Sequence, residues 1–279
     1  MFHPRSSPSE IARKNAELYD ETSDAIWRLA VYEAVHEGWE FINLGGRQIL
    51  DAFAQRAGLG RGKKVLELCS GQGAACQYLA ERYACEVTGV EMNSRQVERA
   101  RARLAQVEHD VAERIRFIEA NVLHWRPSLH YDALLSLDSL MLIDQLSALL
   151  DKAYASLKPG RPLMVAVIVA GPYLDDELRR FAWELDGMIS LPTLEEYAEM
   201  LKTAGFIRID SEDLTQLALD SSVKIATALE RNQEEIVRTQ GKEAYWSWIG
   251  AGKIYVGGFR EKKLTYQLIS ARRQALSDS

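Results

Sequence analysis

The chain has 279 residues, 47% hydrophobic and 27% charged, with 34 basic against 40 acidic side chains and a net charge of −6. Modest Gly, Pro and Cys contents exclude collagen-like, disordered and disulfide-scaffold architectures, and the length suffices for one large α/β domain with additions or two small ones. The longest apolar run, 163–170, is roughly 8 residues against the ~20 needed to cross a bilayer, and the acidic balance argues against nucleic acid or an anionic membrane as main partner.

The first part reads as helical. Ser9 is placed to cap a helix over 11–19. A second helix over 23–38 sets Ile26, Leu29 and Ala30 on one side, and a third over 46–57 carries Ile49, Leu50 and Phe53 at helical spacing and stops before Gly58. Residues 1–57 are thus expected to form a helical lid. Its aromatics Trp27, Tyr32 and Trp39 are expected, with Tyr173, Trp183, Tyr245, Trp246 and Trp248, to enclose an apolar pocket.

Strand and helix patterns then alternate. Strands are predicted over 64–68, 86–90, 115–119, 133–137 and 162–169, with helices over 74–83, 94–107 and 144–157. Such alternation makes βαβ units, and right-handed crossovers give a parallel sheet covered on both faces. Thr193 and Glu196 form a capping box for a helix over 193–204. Two late strands, 207–214 and 264–271, flank a helical insertion from about 217 to 248–250. A second insertion covers about 173–191. Both insertions fall near the end of the sheet where open α/β folds bind ligands.

The chemistry gathers at Val65-Leu66-Glu67-Leu68-Cys69-Ser70-Gly71-Gln72-Gly73. A strand enters a tight turn and then a helix. Gly71 and Gly73 permit close approach of a ligand, and a helix N-terminus offers free N–H groups. Glu91 ends the next strand, where a carboxylate can accept both hydroxyls of a ribose. A dinucleotide loop would carry a third glycine where Cys76 stands, and its pyrophosphate would be repelled by Glu67. A sulfonium amino acid carries a positive sulfur and a positive amino group, so the sign of Glu67 favours S-adenosylmethionine (SAM) over NAD.

VLELCSGQG resembles the first motif of class I SAM-dependent methyltransferases, usually an acidic residue followed by G-x-G-x-G. GVEMN (89–93) resembles their second-strand acidic motif, EANVLHW (119–125) the adenine segment, and SLKPGRPLMV (156–165) the turn into their fifth strand. FINLGG (41–46) and SLDSLMLI (136–143) resemble a small-molecule branch whose stretches read like FxHPGG and SIDSLYFI. The resemblance implies a Rossmann-like, mostly parallel seven-stranded sheet with an antiparallel last strand, here over residues 58–279, plus the helical lid. It implies that Gly71 and Gly73 shape the turn, that Cys69 takes a glycine's place, and that Glu67 lies near the methionyl amino group. It puts Glu91 on the ribose, Met92 on the adenine, Asn121 and Val122 at its edge, and Leu137 and Asp138 beneath the sulfonium. Departures are Cys69 for Gly, Asn121 for Asp, Asn43 and Leu44 for His and Pro, and Met141 for Tyr. Plainer roles also exist: Glu91 as a helix N-terminal acid, Asp138 as a cap, Asn121 as a turn residue.

The expected function is methyl transfer from SAM to a small-molecule metabolite. One alternative is a SAM-consuming enzyme that cyclises the aminobutyrate chain to a four-membered ring and releases methylthioadenosine. Another is a non-catalytic SAM-binding protein. Candidate general bases are Asp138, His36 and Tyr173. No metal site is expected, because no C-x-x-C pair occurs and the five histidines are scattered. Residues 1–10 have no apolar stretch of a signal peptide, so Cys69, Cys76 and Cys85 are expected as free thiols in the cytoplasm. The expected partner is a small-molecule substrate, not nucleic acid or membrane, with a homodimer left open.

Overall fold

A computed structural model describes residues 10–11, 13–14, 21–127 and 129–275. The helix expected over 11–19 falls mostly outside them. Seven strands form one sheet in the order β3-β2-β1-β4-β5-β7-β6. They are β1 (Lys64–Leu68), β2 (Glu86–Glu91), β3 (Ile115–Glu119), β4 (Ala133–Leu137), β5 (Pro162–Ala170), β6 (Phe206–Asp213) and β7 (Leu264–Arg273). Strands β1 to β5 pair in parallel, and β7 runs antiparallel to both β5 and β6. Every residue of β5 is buried, which is why it reads as an unbroken apolar run rather than an alternating one.

The chain order reverses between β1 and β4: β2 and β3 lie to one side, β5 to the other. That reversal opens a crevice at the C-terminal ends of β1 and β4, the place where open α/β sheets take ligands. The turn after β1 fills it. Gly73 is held there by packing: a Cβ on it would lie 2.2 Å from the Phe117 ring of β3, and its φ of +76° suits glycine. Gly89 of β2 plays a related part, since a Cβ there would fall 2.6 Å from the Ser70 hydroxyl.

Two layers of helix behave differently. The helix Gly46–Ala57 buries Ile49, Leu50 and Phe53 in the main core beside the sheet. The helical stretch from Glu21 to His36 instead packs on the late insertion, with Ile26 and Ala30 against Ala228, Leu229, Ile236, Tyr245 and Ile249. A π-helical turn, Arg28–Tyr32, interrupts that stretch. The late insertion comprises helices Thr215–Arg231, Gln233–Gln240 and Lys242–Arg260. Its last helix runs well past the predicted end, through Gly250, Gly252, Gly257 and Gly258. One of these glycines sits at a close contact: a Cβ on Gly258 would meet Leu264 at 3.0 Å, whereas one on Gly252 would meet Ala226 at an ordinary 3.5 Å. The capping box on helix Leu194–Thr203 is present, with Glu196 N–H donating to Thr193 Oγ1 at 3.2 Å and Thr193 N–H to Glu196 Oε2 at 2.8 Å. Among the described residues, no helix is long and apolar enough to cross a membrane.

Gly73→Ala should therefore be costly. Overpacking against Phe117 and the left-handed backbone together predict a loss of about 2–4 kcal/mol in urea unfolding. A variant as stable as the parent would remove the proposed packing constraint on the turn.

Candidate active site

The turn after β1 and the ends of β2 and β4 line a cavity that opens to solvent. Three carboxylates face it: Glu67 from β1, Glu91 ending β2 and Asp138 just past β4. Glu40 reaches it too but is ion-paired with Arg103. Among the described residues lining it, none is Lys, Arg or His.

Each carboxylate is held by neutral donors. Glu91 Oε2 accepts from Gly71 N–H at 3.0 Å and Oε1 from Asn93 N–H at 2.8 Å. Glu67 Oε2 accepts from the Cys76 thiol at 2.9 Å. Asp138 Oδ2 accepts from Leu44 N–H at 2.7 Å, and the buried Tyr266 hydroxyl neighbours the same carboxylate. Burial dominates all three and drives their pKa values upward. Glu67 is pushed up to about 8, with the Cys76 hydrogen bond opposing and the Glu91 charge adding to the rise. Asp138 is pushed up to about 7, against the opposing pull of the Leu44 N–H, and Glu91 is also raised.

The backbone is correspondingly special. Cys69 has φ +57° and Asp138 φ +46°, both in the left-handed region that disfavours side chains. Gly71 (φ +51°) faces open space, with nothing within 4 Å of where a Cβ would stand, so it is the residue of the turn over which a ligand can lie. Gly73 is different. It lies outside the cavity lining, and its role is the Phe117 contact, not ligand approach.

A second cavity adjoins the first, and Asp138 lines both, as do Ile42 and Leu142. Its walls include Trp27 and Trp248, which meet edge to face at 6.3 Å. Ties hold the helical layers over these cavities. Leu44 N–H donates to Asp138, the Ser221 hydroxyl donates to the Leu44 carbonyl at 2.8 Å, and Gln72 Nε2 donates to the Tyr32 hydroxyl at 2.7 Å.

Cys69, Met92 and Leu137 line the first cavity with Glu67, Gly71, Glu91 and Asp138. Asn121 and Val122 do not. Asn121 Oδ1 accepts from Leu123 N–H at 2.8 Å, so it closes its own turn, and Val122 is buried. Two of the expected bases are misplaced. His36 lines neither cavity: it packs edge to face on Phe41 at 5.6 Å, and burial lowers its pKa to about 4. Tyr173 is 66% exposed on a surface turn and also lines neither. Of the aromatics expected around a pocket, Trp27 and Trp248 line the second cavity. Trp39 stacks on Phe41, Tyr245 packs in the helical layer and Trp246 is exposed. Sequence reasoning missed Asp186 and Tyr255, whose hydroxyl donates to Asp186 in the second cavity. A signal existed: Asp186 ends its helix before Gly187, and an acid at a helix C-terminus opposes the macrodipole.

A cavity with three carboxylates and no internal cation suits a ligand that brings positive charge. A family model described as a methyltransferase domain matches residues 39–209. The chain belongs to the methyltransferase-domain family. Its cofactor is S-adenosylmethionine, and the charge of the first cavity fits that sulfonium and ammonium. Phosphoethanolamine N-methyltransferase 1 of Arabidopsis thaliana is 25% identical over 231 residues, 80% of this chain and 44% of its own length. The chain thus spans less than half of that plant relative. The 27-O-demethylrifamycin SV methyltransferase of Amycolatopsis mediterranei is 25% identical over 282 residues, 96% of this chain and 98% of its own. In fold, Haemonchus contortus phosphoethanolamine N-methyltransferase 2 superposes with a TM-score of 0.82 at 19% identity, over 98% of this chain and 61% of that one. These relatives favour neither the cyclising nor the non-catalytic alternative.

Two outcomes test the electrostatics of this methyltransferase site. Glu67 and Asp138 bind protons more tightly in the folded protein than when unfolded. Their contribution to stability is complete below the ordinary carboxylate range and is lost as pH rises toward about 8. The ligand-free protein should therefore lose thermal stability between pH 5 and 8, and Glu67→Gln should flatten that slope; parallel profiles would contradict the assignment. Cys69→Gly should stabilise the ligand-free protein by about 0.5–1 kcal/mol by relieving the left-handed strain, read from denaturant midpoints.

Proposed function

We propose that this chain transfers a methyl group from SAM to a small-molecule acceptor that occupies the second cavity. The observation that carries the reading is Asp138, the carboxylate that, among the described residues, lines both cavities where they adjoin. Bound SAM supplies a methyl already activated on a positive sulfur. The chain's work is alignment, exclusion of water and removal of one proton.

Glu91 is the residue we assign to the ribose hydroxyls. Each of its oxygens accepts one backbone N–H and retains a lone pair. Glu67 is assigned to the methionyl amino group, Gly71 and Cys69 to the methionyl chain, and Met92, at the exposed rim, to the adenine. Leu137 supplies apolar floor. Asp138 is assigned as the base: with its pKa near 7 it is both available and basic at neutral pH. The helices from Glu21 to His36 and from Thr215 to Arg260 act as the cap over the acceptor, tied down through Leu44, Ser221 and Tyr32. The acid-lined cavities support a small molecule over nucleic acid as substrate, and three free thiols support a cytoplasmic setting.

Incubation of the purified protein with SAM and cell extract should yield S-adenosylhomocysteine and a methylated small molecule. Methylthioadenosine as the nucleoside product would point to the cyclising reaction, and binding without turnover to a non-catalytic role. Glu91→Ala should weaken SAM binding by about 1–3 kcal/mol in calorimetry. SAM binding overall should tighten from pH 6 to 8, with proton release, because the cation draws protons off Glu67 and Asp138.

A further inference from the structure

The second cavity carries information about the acceptor, given the methyl-transfer reading on which this inference rests. Its walls are largely apolar, from Leu44, Met141 and Met188 to the crossed rings of Trp27 and Trp248. Its polar groups are Asp138, Asp186 and the Tyr255 hydroxyl that donates to Asp186. After burial itself, both carboxylates push the pKa of that hydroxyl well up, and all three groups line the same cavity. Burial likewise raises Asp186. Among the described residues, no Lys, Arg or His lines it. Lys14 acts on Asp186 from outside the lining, its ammonium bound to the Glu184 carbonyl.

Such a chamber is hostile to a phosphate, which needs cations or a nest of N–H groups to leave water. It is receptive to a positive nitrogen on an apolar body. The carboxylates offer charge, the indole faces offer cation–π attraction, and the remaining walls take hydrocarbon. We propose that the second cavity binds an apolar amine, its nitrogen seated between Asp138 and Asp186, and excludes phosphorylated amines. Asp138, facing both chambers, then receives the proton that the bound ammonium gives up. Asp186 is a specificity-determining residue held in place by Tyr255.

The test uses the full chain loaded with S-adenosylhomocysteine and three probes: N-methylbenzylamine, its neutral isostere benzyl methyl ether, and phosphoethanolamine. In calorimetry the amine should bind about tenfold or more tightly than the ether, and phosphoethanolamine should show no binding. Asp186→Asn should erase the preference of amine over ether while S-adenosylhomocysteine affinity stays unchanged. Equal binding of amine and ether, no binding of the amine, or binding of phosphoethanolamine overturns the proposal with the cofactor reading intact. Failure of the wild type to bind S-adenosylhomocysteine overturns the cofactor reading instead. The wild-type comparison decides the matter even where a variant misfolds, and Tyr255→Phe, which keeps both carboxylates, should weaken the preference without abolishing it.

Discussion

Glu67, Glu91 and Asp138 are drawn largely out of water at the C-terminal ends of β1, β2 and β4, and among the described residues no side-chain cation lining their cavity answers them. That arrangement is unfavourable in the ligand-free protein, because neutral N–H and S–H donors recover only part of the lost hydration. The cost is legible in the upward displacement of all three pKa values. A fold selected for stability alone would have neutralised such positions with apolar residues. Keeping them commits the crevice to a ligand that brings the missing charge, and ties the protein's stability to its occupancy.

The backbone of the crevice follows from the same requirement. Aiming three acids at one space from successive strand ends needs abrupt exits, and the chain makes them at Cys69, Gly71, Gly73 and Asp138, each with positive φ. The Phe41–Gly46 stretch then does two jobs. The Leu44 N–H steadies Asp138, and the Leu44 carbonyl receives Ser221 from the late insertion. Asn43 Oδ1 accepts from Gly46 N–H and starts the next helix. The position of the acid between the cavities is therefore coupled to the position of the cap. A shift of helix Thr215–Arg231 would act directly on Asp138, with no longer pathway needed.

Much of this is readable from the residues. Strands β1, β3 and β4 and the helices Gly46–Ala57 and Ala74–Tyr83 have the predicted limits, because buried parallel strands and amphipathic helices impose their periods on sequence. Glu67 and Glu91 are conspicuous as charges at strand ends. Harder to read is anything set by contacts distant along the chain. Asp186 and Tyr255 meet across 69 residues, and neither segment alone says so. The glycines of helix Lys242–Arg260 suggest a break, yet the helix runs through them, and only at Gly258 does β7, through Leu264, crowd the space a side chain would take. Gly73 looks like a ligand glycine because the motif is read in one dimension. Its true constraint, Phe117, lies two strands away in the sheet. His36 and Tyr173 are plausible by residue type alone, which carries no information about which wall of the molecule a side chain reaches.

The two cavities also differ in what fixes them. The first is built from the sheet and the turn after β1, parts that the family match of residues 39–209 includes. The second draws Trp27 from before that match and Trp248 and Tyr255 from after it. On the proposed assignment, cofactor chemistry lies in the part the family model matches and acceptor choice in the additions. Relatives at about a quarter identity can share the donor and differ in what they modify, since fold alone does not set function. On the proposed reading, the lack of a basic side chain among the described residues lining the second cavity separates this chamber from one suited to a phosphorylated acceptor. That separation rests on charge, which a few substitutions in the added helices suffice to change while the sheet stays as it is.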